Sequence, residues 1–147
     1  MKIMQQMQAQ NAMSLTLCCC ACFSIGTTPV TTMALSPDSL SVAVGYTDGQ
    51  VCVYQIENTF VSASFELESS AHMQCRFLSS NLLATGVSNG SIMVWDVASN
   101  TEAGFHSFLD TSAICAVAQA EDEGGIVCVD AKGGVHGCVL HTASGAA

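Results

Sequence analysis

Leu83-Ala84-Thr85-Gly86-Val87-Ser88-Asn89-Gly90-Ser91-Ile92-Met93-Val94-Trp95 repeats, with changes, the stretch Val42-Ala43-Val44-Gly45-Tyr46-Thr47-Asp48-Gly49-Gln50-Val51-Cys52-Val53-Tyr54. Gly45 answers to Gly86, Gly49 to Gly90 and Tyr54 to Trp95, each at an offset of 41. A repeat of that period marks one supersecondary unit stacked on copies of itself, each needing neighbours to bury its faces. Within either copy, two apolar runs flank Thr47-Asp48-Gly49 or Ser88-Asn89-Gly90. Asp-Gly and Asn-Gly between such runs are hairpin signals, read here as two-residue turns.

Outward from this pair, short apolar runs punctuated by turn residues continue. Val30 to Leu35 ends at Ser36-Pro37-Asp38-Ser39, where Pro stands second in a tight turn. Val61 to Leu67 closes a first set of four strands; Met73 to Leu78, Leu82 to Val87, Ile92 to Val97 and a weak Gly104 to Phe108 make a second. The third set is degraded. Ile114 to Gln119, Ile126 to Val129 and Val135 to Leu140 are recognisable, Gly133 follows Gly90 by 43 residues, and nothing after His141 has room for a fourth strand. Runs such as Val51-Cys52-Val53-Tyr54 are apolar on both alternating faces, which suits sheets covered on both sides.

Composition narrows the function classes. Of 147 residues, 50% are hydrophobic and only 10% charged, against about a quarter charged in ordinary soluble domains. The apolar excess calls for a protein or membrane partner. Net charge is -9, with 3 cations in all (Lys2, Arg76 and Lys132), so no basic face exists to neutralise a row of phosphates, and nucleic acid is not an expected partner. Nine cysteines show neither paired metal spacing nor a regular disulfide framework. Cys52, Cys75, Cys115, Cys128 and Cys138 stand singly in strand-like runs and read as small buried hydrophobes in a reducing compartment, cytoplasm or nucleus.

Residues 1–11 are polar with interspersed Met, and Ala12 to Ile25 is nearly continuously apolar. At about fourteen residues the run is short for a membrane-spanning helix. A signal peptide and an acylated cysteine cluster are the competing readings, but for the first a single cation precedes the run and no Ala-x-Ala site follows. The favoured reading is a strand, Leu15 to Phe23, ended by the turn Gly26-Thr27-Thr28-Pro29. Residues 12–29 are therefore assigned as an apolar strand of an adjoining unit or a targeting segment, with repeat units over about 30–70, 71–110 and 111–141 and a short tail to 147.

The chain resembles the WD-repeat β-propeller family. Residues 72–97 carry the resemblance best, through Leu83 to Trp95 and the closing Asp96; Met33-Ala34-Leu35-Ser36-Pro37-Asp38 resembles the family's first turn. The fold this implies is all-β: a partial β-propeller of about three four-stranded antiparallel blades after a short N-terminal segment. The resemblance implies a hydrogen-bonded structural network at His72, Thr85, Asn89 and Trp95, with Asp48, Gly49 and Gly90 as structural turn residues. Ala71 and Asn89 stand where the family has Gly and Asp, so this network is expected to be weaker. In the first blade Val44 and Tyr54 replace the Ser and Trp, and packing is expected to do the network's work.

The expected function is a non-catalytic scaffold for protein–protein interaction, within a larger assembly or a ring completed by other chain segments. Thr28, Thr47, Ser70, Ser88 and Asn89 are its candidate rim residues. A secreted or membrane-associated propeller fragment is the alternative. His106, His136 and His141 have no acidic partner at motif spacing, and Glu121-Asp122-Glu123 reads as a solvated loop. No phosphate loop or nucleophile elbow occurs; catalytic, cofactor and metal roles are assigned to no residue, and a small-molecule ligand is not expected. An open arc of three blades would leave apolar end faces for a partner.

Overall fold

The computed structural model describes residues 27–67, 72–108, 112–120 and 124–141, and every described element is a strand. The expected N-terminal strand or targeting segment, Ser70, and the loop Glu121–Glu123 lie outside the described residues, as do the side chains of His72 and Met73. Strands β1 (Val30–Leu35), β2 (Ser41–Tyr46), β3 (Gln50–Gln55) and β4 (Val61–Glu66) form one antiparallel sheet in chain order. Strands β5 (His72–Phe77), β6 (Leu82–Val87), β7 (Ser91–Asp96) and β8 (Thr101–Ser107) form the second. The third holds β9 (Ile114–Gln119), β10 (Gly125–Asp130) and β11 (Val135–Val139). The third sheet has three strands among the described residues, matching the degraded third set of the sequence, with β11 at its edge.

The central strands form because their residues are β-branched or small and apolar on both faces. Each face then meets a different neighbour. Ala43, Val51, Val53, Ala63 and Phe65 of the first sheet pack on Cys75, Phe77, Leu83, Met93 and Trp95 of the second. From the opposite face of the second sheet, Ala84, Ile92 and Val94 pack on Ile114, Val117, Ile126 and Cys128 of the third. Calling the side turned toward the next sheet the front, the rule is front on back, applied twice. Gly86 is where the second contact is tightest. A Cβ there would lie 2.5 Å from Ile114 Cγ2, so only glycine admits the buried Ile114.

Two end faces remain. On the back of the first sheet Val42, Val44, Tyr46, Cys52 and Tyr54 form a buried cluster with Ile56. The front of the third sheet presents Val127, Val135 and Val139, at 37%, 70% and 54% exposure. Cross-strand pairing places Ala116, Ala118, Val129 and Gly137 on that same front.

The β2–β3 and β6–β7 connections differ from the two-residue turns the dipeptides indicate. Gly49 N–H donates to Tyr46 C=O at 3.2 Å and Gly90 N–H to Val87 C=O at 3.1 Å. Gly49 and Gly90 carry φ of +90° and +86°, while Thr47, Asp48, Ser88 and Asn89 do not enter positive φ. Each loop is therefore three residues long, an ordinary turn followed by a left-handed glycine. Gly133 repeats it in the third sheet, with φ of +86°.

Candidate interaction rim and the polar ties beneath it

The three β2–β3-type turns lie at one rim, and backbone hydrogen bonds fasten them to the loops that enter each sheet. Thr47 N–H donates to Pro29 C=O at 3.0 Å, and Ala131 N–H donates to Ala113 C=O at 2.9 Å. Side chains brace the same turns from within. Asp48 Oδ1 accepts from Gln50 N–H at 3.1 Å, and Asn89 Oδ1 from Ser91 N–H at 3.0 Å. Asn89 Oδ1 also accepts the Ser91 hydroxyl. In the third sheet Lys132 occupies that position and cannot accept, so Asp130 takes over. Its Oδ1 accepts from Lys132 N–H at 2.8 Å and Gly134 N–H at 2.9 Å. Thr28, Thr47, Ser88 and Asn89 are exposed at this rim.

Beneath the rim, each sheet's back holds one polar pair joining its second and third strands. In the second sheet Trp95 Nε1–H donates to Thr85 Oγ1 at 3.1 Å, both residues being buried. Of the four residues expected to form a network, the structure joins these two directly, while Asn89 braces its own turn. In the first sheet the Tyr46 and Tyr54 hydroxyls lie 2.9 Å apart in the buried layer. Packing alone was expected there, so this is a correction: Tyr46 supplies a hydroxyl partner at a strand end, where the sequence comparison looked only at Val44. Burial, reinforced by Tyr46, pushes the Tyr54 phenol well above the usual tyrosine range.

The third pair overturns the reading of His136 as partnerless. His136 Nε2 lies 2.8 Å from Asp130 Oδ2. The hairpin explains it: Cys128 faces His136 across β10–β11, which brings the end of β10 beside the start of β11. The hydrogen bond from His136, with that from Gly134 N–H second, holds the Asp130 carboxyl down at about 2. The signal was present in the sequence as an Asp two residues before a Lys-Gly-Gly turn and a His two residues after it.

On the opposite rim, Asp38, Ser39, Leu40, Gln55, Glu57 and Asn81 are among the residues around an open groove of about 720 Å³ between the first and second sheets. Asp38 Oδ1 accepts from the Ser36 hydroxyl at 2.6 Å and from Leu40 N–H at 3.0 Å, which hold its carboxyl below the usual range. Sequence reading placed Asp38 in a turn without seeing that Glu57, from another turn, shares its groove. Among the described residues no group of three His, Cys, Asp or Glu side chains converges as a metal site.

Cys52, Cys75 and Cys128 are buried as expected, but Cys115 is exposed. It is the extra residue of a bulge in β9, where Val129 faces Ala116 and Asp130 faces Ile114, and is turned outward.

A family model, WD domain, G-beta repeat, matches residues 17–55. The match lies on the first repeat, where Ser36-Pro37-Asp38 and Asp48-Gly49 stand, and not on the second, where the Trp-Asp ending is. No curated protein sequence matches the chain. Among solved structures, the computationally designed Ika4 protein is similar at 21% identity and a TM-score of 0.67, covering 81% of this chain and 71% of that one. The RRP9 WD40 repeats are similar at 14% identity and a TM-score of 0.65; 72% of this chain is covered, but only 34% of that one.

Proposed function

We propose that this protein, a WD-repeat β-propeller-like chain in its repeat and fold, is a non-catalytic scaffold that binds other proteins through its rims, in the cytoplasm or nucleus. One observation carries the reading. Three turns of the same shape stand side by side at one rim, each braced by a side-chain carbonyl or carboxylate, and the bonds to Pro29 and Ala113 lock two of them to their sheets. Such turns change little on binding, so little ordering cost opposes association.

The chemistry of the partner follows from charge. With 12 acids against 3 cations, and Asp38 and Glu57 at one groove, the fitting partner is a protein with an extended Lys- or Arg-rich segment. A titration of the full chain with Lys/Arg-rich peptides, followed by fluorescence anisotropy, tests this. Binding that weakens with salt and is lost in Asp38→Lys/Glu57→Lys supports the reading; equal binding of an acidic peptide overturns it. The apolar run Ala12–Ile25 behind Lys2 favours a second reading, a targeted or membrane-associated chain. Mass spectrometry of the mature N-terminus decides between them, because cleavage after this run is required by a signal peptide.

A further inference from the structure

The repeat supplies its own control. Where a position does the same structural work in the first and second sheets, a difference in side chain there is not demanded by the fold. Four such differences, at Asp38, Leu40, Glu57 and Phe60, gather at one rim, at or beside the groove of about 720 Å³ between these sheets.

Leu40 is the clearest. Its C=O accepts from Ile56 N–H at 2.9 Å, and 41 residues on Asn81 C=O accepts from Val97 N–H at 2.8 Å. In the third sheet Gly124 C=O does the same for Leu140 N–H at 3.1 Å. Backbone alone fixes this position, whether its side chain is apolar, polar or absent. Yet the first sheet puts a leucine there and leaves it 67% exposed on the groove. Phe60 is a second case. Its C=O accepts from Gln55 N–H at 2.9 Å at the close of the β3–β4 turn, and it is 70% exposed. The matching residue of the second sheet is Thr101, exposed as well. Successive N–H groups, of Gln55 and Ile56, reach Phe60 and Leu40, so two exposed apolar residues flank the end of β3.

The charges follow the same pattern. Asp38 braces its turn through Oδ1, which accepts from Leu40 N–H at 3.0 Å, while in the second sheet Ser79 Oγ accepts from Asn81 N–H at 3.3 Å. A hydroxyl suffices for that bond, so it does not require the charge of Asp38. Glu57 answers to Ala98, and both are exposed. Single exposed apolar residues are ordinary on any surface. Two of them beside two carboxylates, all four missing from the companion sheet, mark a surface shaped for contact.

We infer that this groove takes an extended protein segment in which a Lys or Arg stands beside a bulky aliphatic side chain. The cation lies against Asp38 and Glu57, and the aliphatic group covers Leu40 and Phe60. Asp38 and Leu40 are two apart in one turn, and side chains two apart on an extended segment share a face at a spacing of about 7 Å. Charge complementarity selects this occupant. A wholly apolar surface would desolvate both carboxylates without pairing them, and an anionic membrane is repelled by them. A wholly basic segment would leave Leu40 and Phe60 in water. The inference rests on the reading of the rims as protein-binding surfaces and adds the apolar half of the partner.

Fluorescence anisotropy of the full chain at low salt tests it. One labelled peptide carries Lys-Leu pairs, a second has Ser for each Leu, and a third has Glu for each Lys. The Lys-Leu peptide should bind about tenfold or more tighter than the Lys-Ser peptide, and the Glu-Leu peptide should not bind. Leu40→Asn/Phe60→Thr writes the second sheet's residues into the first, so the chain should keep its circular dichroism and urea midpoint while binding the two Lys peptides alike. Asp38→Ser/Glu57→Ala should weaken both Lys peptides and flatten their salt dependence. Equal binding of the Lys-Leu and Lys-Ser peptides by the unmodified chain overturns the inference and leaves the protein-binding reading standing; so does a preference that survives Leu40→Asn/Phe60→Thr. Self-association that light scattering shows to vanish in that variant also overturns it, by making a second copy the occupant. Equal binding of the Glu-Leu peptide, or binding of no peptide at all, overturns the inference together with the reading beneath it.

Discussion

Phe65 of the first sheet stacks on Trp95 of the second, with ring centroids 4.5 Å apart and planes inclined by 19°. The same Trp95 gives its indole N–H to Thr85 inside its own sheet. One residue therefore ties a sheet together and glues it to its neighbour, so hairpin and interface should be lost in a single transition.

Replacing Trp95 by Phe keeps an aromatic ring but leaves the buried Thr85 hydroxyl without that donor, at a cost of about 1–3 kcal/mol. Trp95→Ala should cost about 3–5 kcal/mol. A double-mutant cycle with Phe65→Leu should return a coupling near 1 kcal/mol, since the stacked pair contributes beyond its buried area. Urea unfolding followed by circular dichroism at fixed protein concentration measures all three. Strict additivity of Phe65→Leu and Trp95→Ala would show the stack to be incidental.

Asp130 makes stability depend on acid. Its carboxyl lies at about 2 in the folded chain against an ordinary 3.8, because His136 and Gly134 bond the charged form. A depressed value means that the stabilisation is complete above about pH 4 and disappears as pH falls through about 2. Asp130→Asn removes this contribution at neutral pH. The urea midpoints of the two proteins should differ at pH 6 and converge by pH 2; a gap that stays constant across the range would assign the difference to packing.

What the sequence disclosed, and what it withheld, divides along periodicity. The repeat from Val42 to Trp95 and the glycines at 49 and 90 located both complete sheets, because alternation and turn chemistry are local. Thr85 and Trp95 were legible as a pair through the family pattern. Tyr46–Tyr54 and Asp130–His136 were not, since Tyr46 and Asp130 stand at strand ends to which the repeat pattern gives no partner, and only the hairpin register brings each beside its own. The groove holding Asp38 and Glu57 joins turns from different hairpins, a relationship that exists only after the strands pair.

Gly86 should resist substitution although its backbone is ordinary β-strand. A Cβ at this position would meet Ile114 Cγ2 at 2.5 Å, Ile114 Cβ at 3.0 Å and the Ile114 carbonyl oxygen at 3.1 Å. Ile114 is fully buried between the second and third sheets and has nowhere to withdraw. Gly86→Ala should destabilise by about 1–3 kcal/mol through overpacking. In the double variant Gly86→Ala/Ile114→Val, removal of one methyl group should return part of that loss. A Gly86→Ala midpoint equal to the unmodified protein's would mean that the sheets can separate freely.

Thiol reactivity reports the same layering residue by residue. Cys75 is buried and its thiol pushed up to about 12 by that burial; Cys128 is buried and pushed up to about 11, again chiefly by burial. At pH 8 only about one Cys75 in ten thousand carries the reactive thiolate, and the packed core blocks the reagent from that fraction. Cys115 is exposed on β9, where no packed core shields it. Brief iodoacetamide treatment of the native chain, followed by peptide mass mapping, should alkylate Cys115 while leaving Cys75 and Cys128 intact. Addition of denaturant should then expose all three together. Alkylation of Cys75 at the rate of Cys115 under native conditions would mean that the contact between the first two sheets opens readily, against the shared core that holds Cys75 with Val53, Ala63 and Phe65 of the first sheet.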